Sequence, residues 1–233
     1  SRSLQDEPIL ISQFARIALG NISLEAFQRI LPRCPSPLDA MQHVAFSDVR
    51  GATRRGMEGE LVIFLNVSFG EILELEPLGL VSRRRISWKI IGGWLARPYI
   101  RTQQTGVVRS MAMLIGLTKR PYDAALVEAK QLEMAAARTG GVVGTLFPSF
   151  SGFFTSEARH VSRVTLAGVA AQCFEFRREN GRYPSSLDEL PSVEDDPWSG
   201  KPFLLETKPD GILLRSQGEP SSKQEPVEWK LNG

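Results

Sequence analysis

The stretch SEARHVSRVTLAGVAAQCFEFRRENG, residues 156–181, decides the fold that we predict for this chain. Its apolar residues recur at intervals of three and four, which indicates an α-helix with one buried face. The residues that share this face are Leu166, Val169, Ala170, Cys173 and Phe176. Thr155 or Ser156 can cap the first turn, where Glu157 suits the positive end of the helix dipole. Gly181 can adopt the left-handed conformation that ends a helix.

After this helix the sequence changes to turns and short apolar runs. Pro184 prevents the helix from continuing, and Ser185 or Ser186 can cap a short helical turn. The runs 203–206 and 211–215 flank the turn sequence Pro-Asp-Gly, which predicts a β-hairpin. Because an isolated hairpin is only marginally stable in water, we expect it to pack against the apolar face of the helix.

Four motifs in this region are similar to those of a known protein family: NGRYP at 180–184, SLDEL at 186–190, DPWSGKPF at 196–203 and DGILLRSQG at 210–218. Their order resembles the C-terminal half of the major pseudopilin of type II secretion systems. The resemblance implies a long helix followed by a small sheet. It also implies that the motif residues have a structural role: Gly181, Tyr183, Pro184, Leu187, Asp196, Pro197, Trp198, Gly200, Pro202, Gly211, Ser216 and Gly218.

The residues of the Asp196-Pro197-Trp198 turn by themselves indicate a structural role. Asp196 can accept hydrogen bonds from the amides of its own turn, and proline fixes the backbone. Trp198 supplies a large apolar surface, and we expect it to cover the end of the long helix where Gly181 lies.

A wider resemblance is to uncharacterised bacterial membrane-anchored proteins with a pseudopilin-like tail. It rests also on EPILISQFARIAL at 7–19 and KRPYDAALVEAKQLE at 119–133. It implies an extracytoplasmic protein, attached to the membrane by an N-terminal anchor absent from this chain, whose partner is another envelope protein. The chain begins Ser-Arg-Ser without an initiator methionine, which agrees with the removal of a leader or anchor.

Two departures from the pseudopilins limit what the resemblance implies. About 150 residues of other sequence precede the matching helix, so that filament assembly through a hydrophobic N-terminal helix is not expected. The major pseudopilin binds calcium near its C-terminus, whereas this chain keeps only Glu219, Glu225 and Glu228 there. Calcium prefers six to eight converging oxygens, so we predict no metal site.

The predicted fold class is α+β, mainly α, in three parts. Residues 1–150 form a helical region, 151–218 form the pseudopilin-like helix and sheet, and 219–233 form a poorly ordered tail rich in Ser, Glu, Lys and Pro. Val227 and Trp229 of this tail could dock on the rest of the protein. Within the helical region we predict one helix ending at Leu19, a second capped by Ser23, and others that begin near Pro37, near Pro98 and after Pro121. The apolar run at 59–75 is compatible with a strand or a helix, and its length favours a helix.

Composition excludes several classes of protein. The 233 residues are 42% hydrophobic and 23% charged, which is typical of a globular protein with a sizeable core. The formal net charge of +2 argues against a dedicated nucleic-acid binder, although Arg83, Arg84 and Arg85 form a local basic group. No run of 18 apolar residues is present, so that no membrane-spanning helix is predicted.

The sequence contains few residues in an arrangement typical of catalysis. The two histidines, His43 and His160, have no neighbouring ligands at metal-binding spacing, and we expect surface or capping positions for them. No Gly-x-Ser-x-Gly motif occurs, and the acids at 194–196 fit a solvated turn. Cys34 and Cys173 can form a disulfide in an oxidising compartment, or Cys173 can pack as a small apolar residue. We therefore predict no catalytic, cofactor-binding or metal-binding residue.

Two functions from different classes remain. The first is a non-catalytic interaction or scaffold protein of the cell envelope. The alternative is an envelope enzyme or small-ligand binder with its site in the helical region. A deep polar pocket with a perturbed carboxylate or histidine would favour the alternative. An exposed apolar patch on the helical region would favour the first.

Overall fold

The computed structural model describes residues 10–44, 48–66, 102, 105–139, 150–218 and 227–232. Within these ranges the helices are α1 (Leu10–Ile30), α2 (Pro37–Val44), α3 (Val49–Asn66), α4 (105–117), α5 (Tyr122–Thr139) and α6 (Phe150–Asn180). Two short 3-10 helices occupy Leu31–Arg33 and Leu187–Glu189. The strands are β1 (Leu204–Lys208), β2 (Gly211–Arg215) and β3 (Glu228–Asn232). The predicted fold class, α+β and mainly α, is confirmed.

Helix α6 is the centre of the fold. Helices α1, α2 and α5 pack on it, and so do strands β2 and β3. Ala167, Ala170 and Ala171 are fully buried along its middle. Small side chains let neighbouring elements approach a helix closely, which explains how so many elements share one axis. Phe150, the last residue of the predicted helical region, is the first residue of α6.

The sheet is antiparallel in the order β1-β2-β3. Leu214 of β2 lies opposite Leu205 of β1 and Trp229 of β3, and all three belong to the apolar core or pack against it. The Trp229 ring lies 6.2 Å from the ring of Phe27 on α1. The hairpin therefore packs on the helices as predicted, and a third strand joins it.

Helix α6 begins earlier than the sequence predicted. Thr155 and Ser156 are not caps, because their hydroxyls donate to the carbonyl oxygens of Ser151 and Gly152 inside the helix. The predicted end is confirmed: the helix stops at Asn180 and Gly181 has a φ of 73°. The predicted apolar face is buried, except that Phe176 is half-buried at the last turns.

Helix α1 is longer than the sequence predicted. The two short helices predicted on either side of Ser23 form one helix, Leu10–Ile30. Ser23 donates to the carbonyl oxygen of Leu19, which any hydroxyl residue inside a helix can do, and it caps nothing. Helix α2 begins at Pro37 as predicted.

Helix α3 covers the first part of the ambiguous apolar run and confirms its helical assignment for 59–66. Residues 67–75, the arginines at 83–85 and Pro98 lie outside the described residues. Helices α4 and α5 agree with the helices predicted up to residue 117 and after Pro121.

The last part of the tail is ordered, and the docking allowed for Val227 and Trp229 is observed. Glu228–Asn232 forms β3, and Val227, Trp229 and Leu231 are buried. These three residues alternate with polar ones, which is the pattern of a strand with one buried face. Residues 219–226, which include Glu219 and Glu225, lie outside the described part of the chain.

Candidate functional site

Asp196 is the centre of a buried hydrogen-bond network. Its Oδ1 accepts from the hydroxyl of Ser162 at 2.5 Å and from the amide of Trp198 at 3.1 Å. Its Oδ2 accepts from the hydroxyls of Ser199 and Ser216, each at 2.7 Å. Burial would raise the pKa of Asp196, but these hydrogen bonds outweigh it and hold the pKa below its usual value.

The Asp196 network confirms one prediction about the Asp196-Pro197-Trp198 turn and contradicts two others. Asp196 does accept a hydrogen bond from an amide of its own turn, as predicted. It is fully buried and is not part of a solvated acidic turn, whereas Glu194 and Asp195 are exposed. Trp198 is buried as predicted, but it packs near Arg159, whose guanidinium lies 5.8 Å from the ring centroid.

The Trp198 turn therefore does not meet the end of α6. Arg159 and Ser162 are separated from Gly181 by roughly 30 Å of helix, at 1.5 Å per residue. The chain after Gly181 runs back along α6 and reaches the first half of the helix. The expectation that Trp198 covers the Gly181 end is wrong, because the segment after Gly181 carries the turn back to Arg159 and Ser162.

The other motif residues lie in turns and strand ends. Tyr183 accepts a hydrogen bond from Arg177 at 3.1 Å, and Ser186 caps the 3-10 helix that contains Leu187. The carbonyl oxygen of Pro202 accepts from Gln217 at 2.8 Å. The remaining positions are Pro184, which is buried, Pro197, which is half-buried, Gly211 at the hairpin turn, and Gly200 and Gly218, which have positive φ angles.

A groove lies between α5 and the Trp198 turn. Its volume is about 360 Å³. Leu126 and Val127 of α5 form an apolar wall, while Lys201 and Gln217 provide polar groups on the other side. This is the size of a small-molecule site.

A second buried polar cluster joins three helices. The hydroxyl of Tyr122 on α5 donates to Oε1 of Glu157 on α6 at 2.8 Å. Nε of Arg50 on α3 lies 3.6 Å from the same oxygen, and its guanidinium lies 3.6 Å from the centroid of the Tyr122 ring. Glu157 is fully buried. We call these three residues the Arg50–Tyr122–Glu157 cluster.

Burial has the largest effect on the pKa values of Glu157 and Tyr122 in this cluster. It raises the pKa of Glu157 to about 7, although Arg50 and the hydrogen bonds lower it. Burial and the nearby Glu157 charge raise the pKa of Tyr122, so that its hydroxyl stays protonated. Glu157 was expected only to suit a helix dipole at a helix start. Its actual position, within α6 and against two other helices, could not be read from spacing.

A small cavity lies between α1, α3 and α6. It has a volume of about 10 Å³, and Arg16, Thr53 and His160 are among the residues that line it. Nδ1 of His160 lies 3.0 Å from Oδ1 of Asn21. Burial, together with the charges of Arg163 and Arg16, lowers the pKa of His160 to about 4. A cavity of this size holds one water molecule and no substrate.

The structure contradicts the position predicted for one histidine and decides between the two alternatives for the cysteines. His160 is buried within the first half of α6, so the expectation of a surface or capping position is wrong. His43 lies in α2, and its side chain is outside the described residues. Cys34 and Cys173 are both free thiols. Burial raises the pKa of Cys173 to about 12, so that it packs as an apolar residue.

The outer face of α1 is the side of this helix that points away from α6. Apart from Glu25 and Arg29, every exposed residue of α1 is apolar. Ile11 is 72% exposed and Ile22 is 63% exposed. This helix therefore presents an uncovered apolar surface.

No protein-family model matches the sequence, and no curated protein or solved structure matches it significantly. The pseudopilin resemblance therefore stays a prediction. Among the residues that the structure describes, no group of three His, Cys, Asp or Glu side chains is placed to hold a metal ion. None of the described helices has the length and apolar character needed to cross a membrane.

Proposed function

We propose that this chain is a non-catalytic interaction or scaffold protein of the cell envelope. The observation that carries the proposal is the outer face of α1. A contiguous exposed patch of large apolar side chains is typical of an interaction site. Ile11, Leu19, Ile22 and Ile30 are each at least 45% exposed on this helix.

The buried polar clusters support a structural role for their residues. Glu157 has the raised pKa of a general acid, yet its side chain is fully buried and out of reach of a substrate. Asp196 accepts four hydrogen bonds from its own chain, which occupy the lone pairs that a substrate or metal would need.

The envelope location rests on the resemblance to pseudopilin-like and membrane-anchored proteins. Under this proposal an anchor outside the chain holds the protein at the membrane, and the partner is another envelope protein. An alkaline phosphatase fusion to the full-length protein tests the location, because this reporter is active only outside the cytoplasm. An inactive fusion at normal protein abundance would contradict the envelope location.

The interaction is tested by site-specific cross-linking in the native cell. A photoreactive amino acid at Ile22 should give a covalent adduct with one discrete envelope protein. The same group at Gln131, an exposed polar position of α5, is the matched control and should give none. A protein with Ile22→Gln should keep its melting temperature, because Ile22 is exposed. When the photoreactive group is placed at Ile11 of this variant, the adduct should no longer form. The proposal fails if neither apolar position gives an adduct.

One observation favours a second function, the binding of a small ligand. The groove beside Trp198 has the volume and mixed lining of a ligand site. Native mass spectrometry of the protein purified from its own cells tests this function. A bound mass that disappears in Val127→Trp, where the larger side chain fills the groove, would support it. A protein without any bound mass would argue against it.

A further inference from the structure

The outer face of α1 carries exposed apolar residues of two sizes. They recur at intervals of three and four residues, so that they form one stripe along most of the helix. The large residues are Ile11, Phe14, Leu19, Ile22 and Ile30. The small residues are Ala15, Ala18 and Ala26. The stripe therefore has projections at the large side chains and depressions at the alanines.

This stripe is complementary to itself when a second copy of α1 runs in the opposite direction. A two-fold axis between Ala18 and Leu19 sets a large residue opposite a small one at each level. The facing pairs are Ile11 with Ala26, Phe14 with Ser23, Ala15 with Ile22, and Ala18 with Leu19. Large side chains that face small ones fill the space between two helices without voids or overlap. A symmetric dimer uses the same surface of both subunits, and this surface meets that requirement.

The charges at this face favour the antiparallel direction. A parallel pair would place Glu25 opposite Glu25 and Arg29 opposite Arg29, and like charges in contact repel each other. In the antiparallel pair Glu25 lies opposite the polar Ser12, and Arg29 lies beyond the first residue of the opposing helix. Glu25 also keeps its ion pair with Arg163 of α6, at 3.6 Å. No charge is then covered by an apolar side chain of the other copy.

The size of the contact sets its strength. Residues 11–26 span about 23 Å along the helix axis, and a helix with its side chains is about 10 Å wide. A strip of this size is at the small end of specific protein interfaces, which belong to weak and reversible complexes.

We infer that the partner at the outer face of α1 is a second copy of this chain, which packs its own α1 antiparallel in a weak symmetric dimer. This inference rests on the proposed function, because it uses the same face and names the envelope protein that covers it. A heterologous partner would not require the face to be complementary to itself.

Sedimentation equilibrium of the purified full chain, up to about 0.5 mM, tests the dimer, since small interfaces give dissociation constants in the micromolar to millimolar range. Ala15→Ile places two large residues opposite each other, and Ile22→Ala leaves a void. Each change should raise the dissociation constant about tenfold or more, which is about 1.4 kcal/mol or more. The double variant restores a large residue opposite a small one and should dimerise like the wild type. Both positions are exposed, so that the monomer fold is kept.

A chain that stays monomeric at the highest concentration would overturn the inference. So would a dimer that Ala15→Ile strengthens, or a double variant that dimerises more weakly than both single variants.

Disulfide trapping tests the register independently. In a Cys34→Ser background, Ala15→Cys with Ile22→Cys should give a covalent dimer on oxidation, because these positions face each other across the axis. Ile11→Cys with Ile22→Cys is the control, since these two positions are offset by about 6 Å along the axis in addition to the separation of the helices. Two cysteines at this distance cannot form a disulfide. Equal trapping of both pairs, or trapping of the control alone, would overturn the register and with it the inference.

The failure of this inference is distinguishable from the failure of the proposed function. If the purified chain is monomeric and a photoreactive group at Ile22 captures a different envelope protein in the cell, the inference is wrong and the proposed function stands. Adducts with twice the mass of the chain would support both. A monomeric chain that forms no adduct in the cell would contradict both.

Discussion

The hydroxyl of Ser162, in the first half of α6, lies 2.5 Å from Oδ1 of Asp196 and donates a hydrogen bond to it. This bond fixes the Trp198 turn to the central helix. Both residues are buried, so that water cannot replace the bond when one partner is removed.

Replacement of Ser162 by Ala should therefore destabilise the protein. A hydrogen bond to a buried charge contributes about 1.5–3 kcal/mol, and we expect a loss of that size in urea unfolding. Ser199→Ala is the matched control, because Ser199 donates to the same carboxylate but is only half-buried. Water can substitute there, and the loss should stay below about 1 kcal/mol. Equal losses would show that the Ser162 contact is solvated.

The second prediction concerns the pH dependence of stability. The pKa of Glu157 is raised from 4.5 to about 7, so its contribution to stability is present below pH 4.5 and is lost as the pH rises to 7. The pKa of His160 is lowered from 6.5 to about 4, so its contribution is present above pH 6.5 and is lost as the pH falls to 4. The two effects oppose each other between pH 4.5 and 6.5.

The two single variants should separate these effects in urea unfolding between pH 4.5 and 6.5. Glu157→Gln leaves His160, and its stability should fall with decreasing pH. His160→Gln leaves Glu157, and its stability should rise with decreasing pH. Each slope approaches about 1.4 kcal/mol per pH unit at most. Parallel pH profiles for the two variants would contradict the burial of one or both groups.

The third prediction tests the last strand. Trp229 of β3 is fully buried against Phe27, and Trp229→Ala should cost about 3–5 kcal/mol of unfolding free energy. Lys230→Ala, one residue further on the exposed side of the same strand, should change stability by no more than about 0.5 kcal/mol. A small effect of Trp229→Ala would restore the interpretation of residues 227–232 as a disordered tail.

The fourth prediction distinguishes the two thiols. Cys34 is half-buried and Cys173 is fully buried with a raised pKa. A thiol reagent at pH 8 should label Cys34 in the native protein and both cysteines in denaturant, because the thiolate is the reactive form. The mass of the unreduced protein should correspond to two free thiols. Native labelling of Cys173 at the rate of Cys34 would show that the core around α6 is open.

The sequence predicted those features whose causes are local. Gly181 ends α6 because glycine adopts a positive φ without strain, and Ser186 caps a turn with its own hydroxyl. The β1–β2 hairpin follows from a turn sequence between two apolar runs. Each of these signals spans only a few residues, so that no knowledge of the tertiary structure is needed.

Features that depend on distant partners could not be predicted in this way. Glu157 is a candidate site only because Arg50 and Tyr122, far away in sequence, meet it in the core. The Ser162–Asp196 bond likewise joins a helix to a turn that follows a long return segment. Spacing identifies which face of a helix is apolar, but it does not show which other element covers that face.

The contact between Trp229 and Phe27 has a consequence for the synthesis of this protein. It joins the last described strand to the first described helix, so the two meet only after all the residues between them have been synthesised. Until then the side of α1 that β3 will cover is exposed to water, and domains with such long-range contacts form slowly. A nascent chain in this state is open to aggregation and is a natural client for a chaperone.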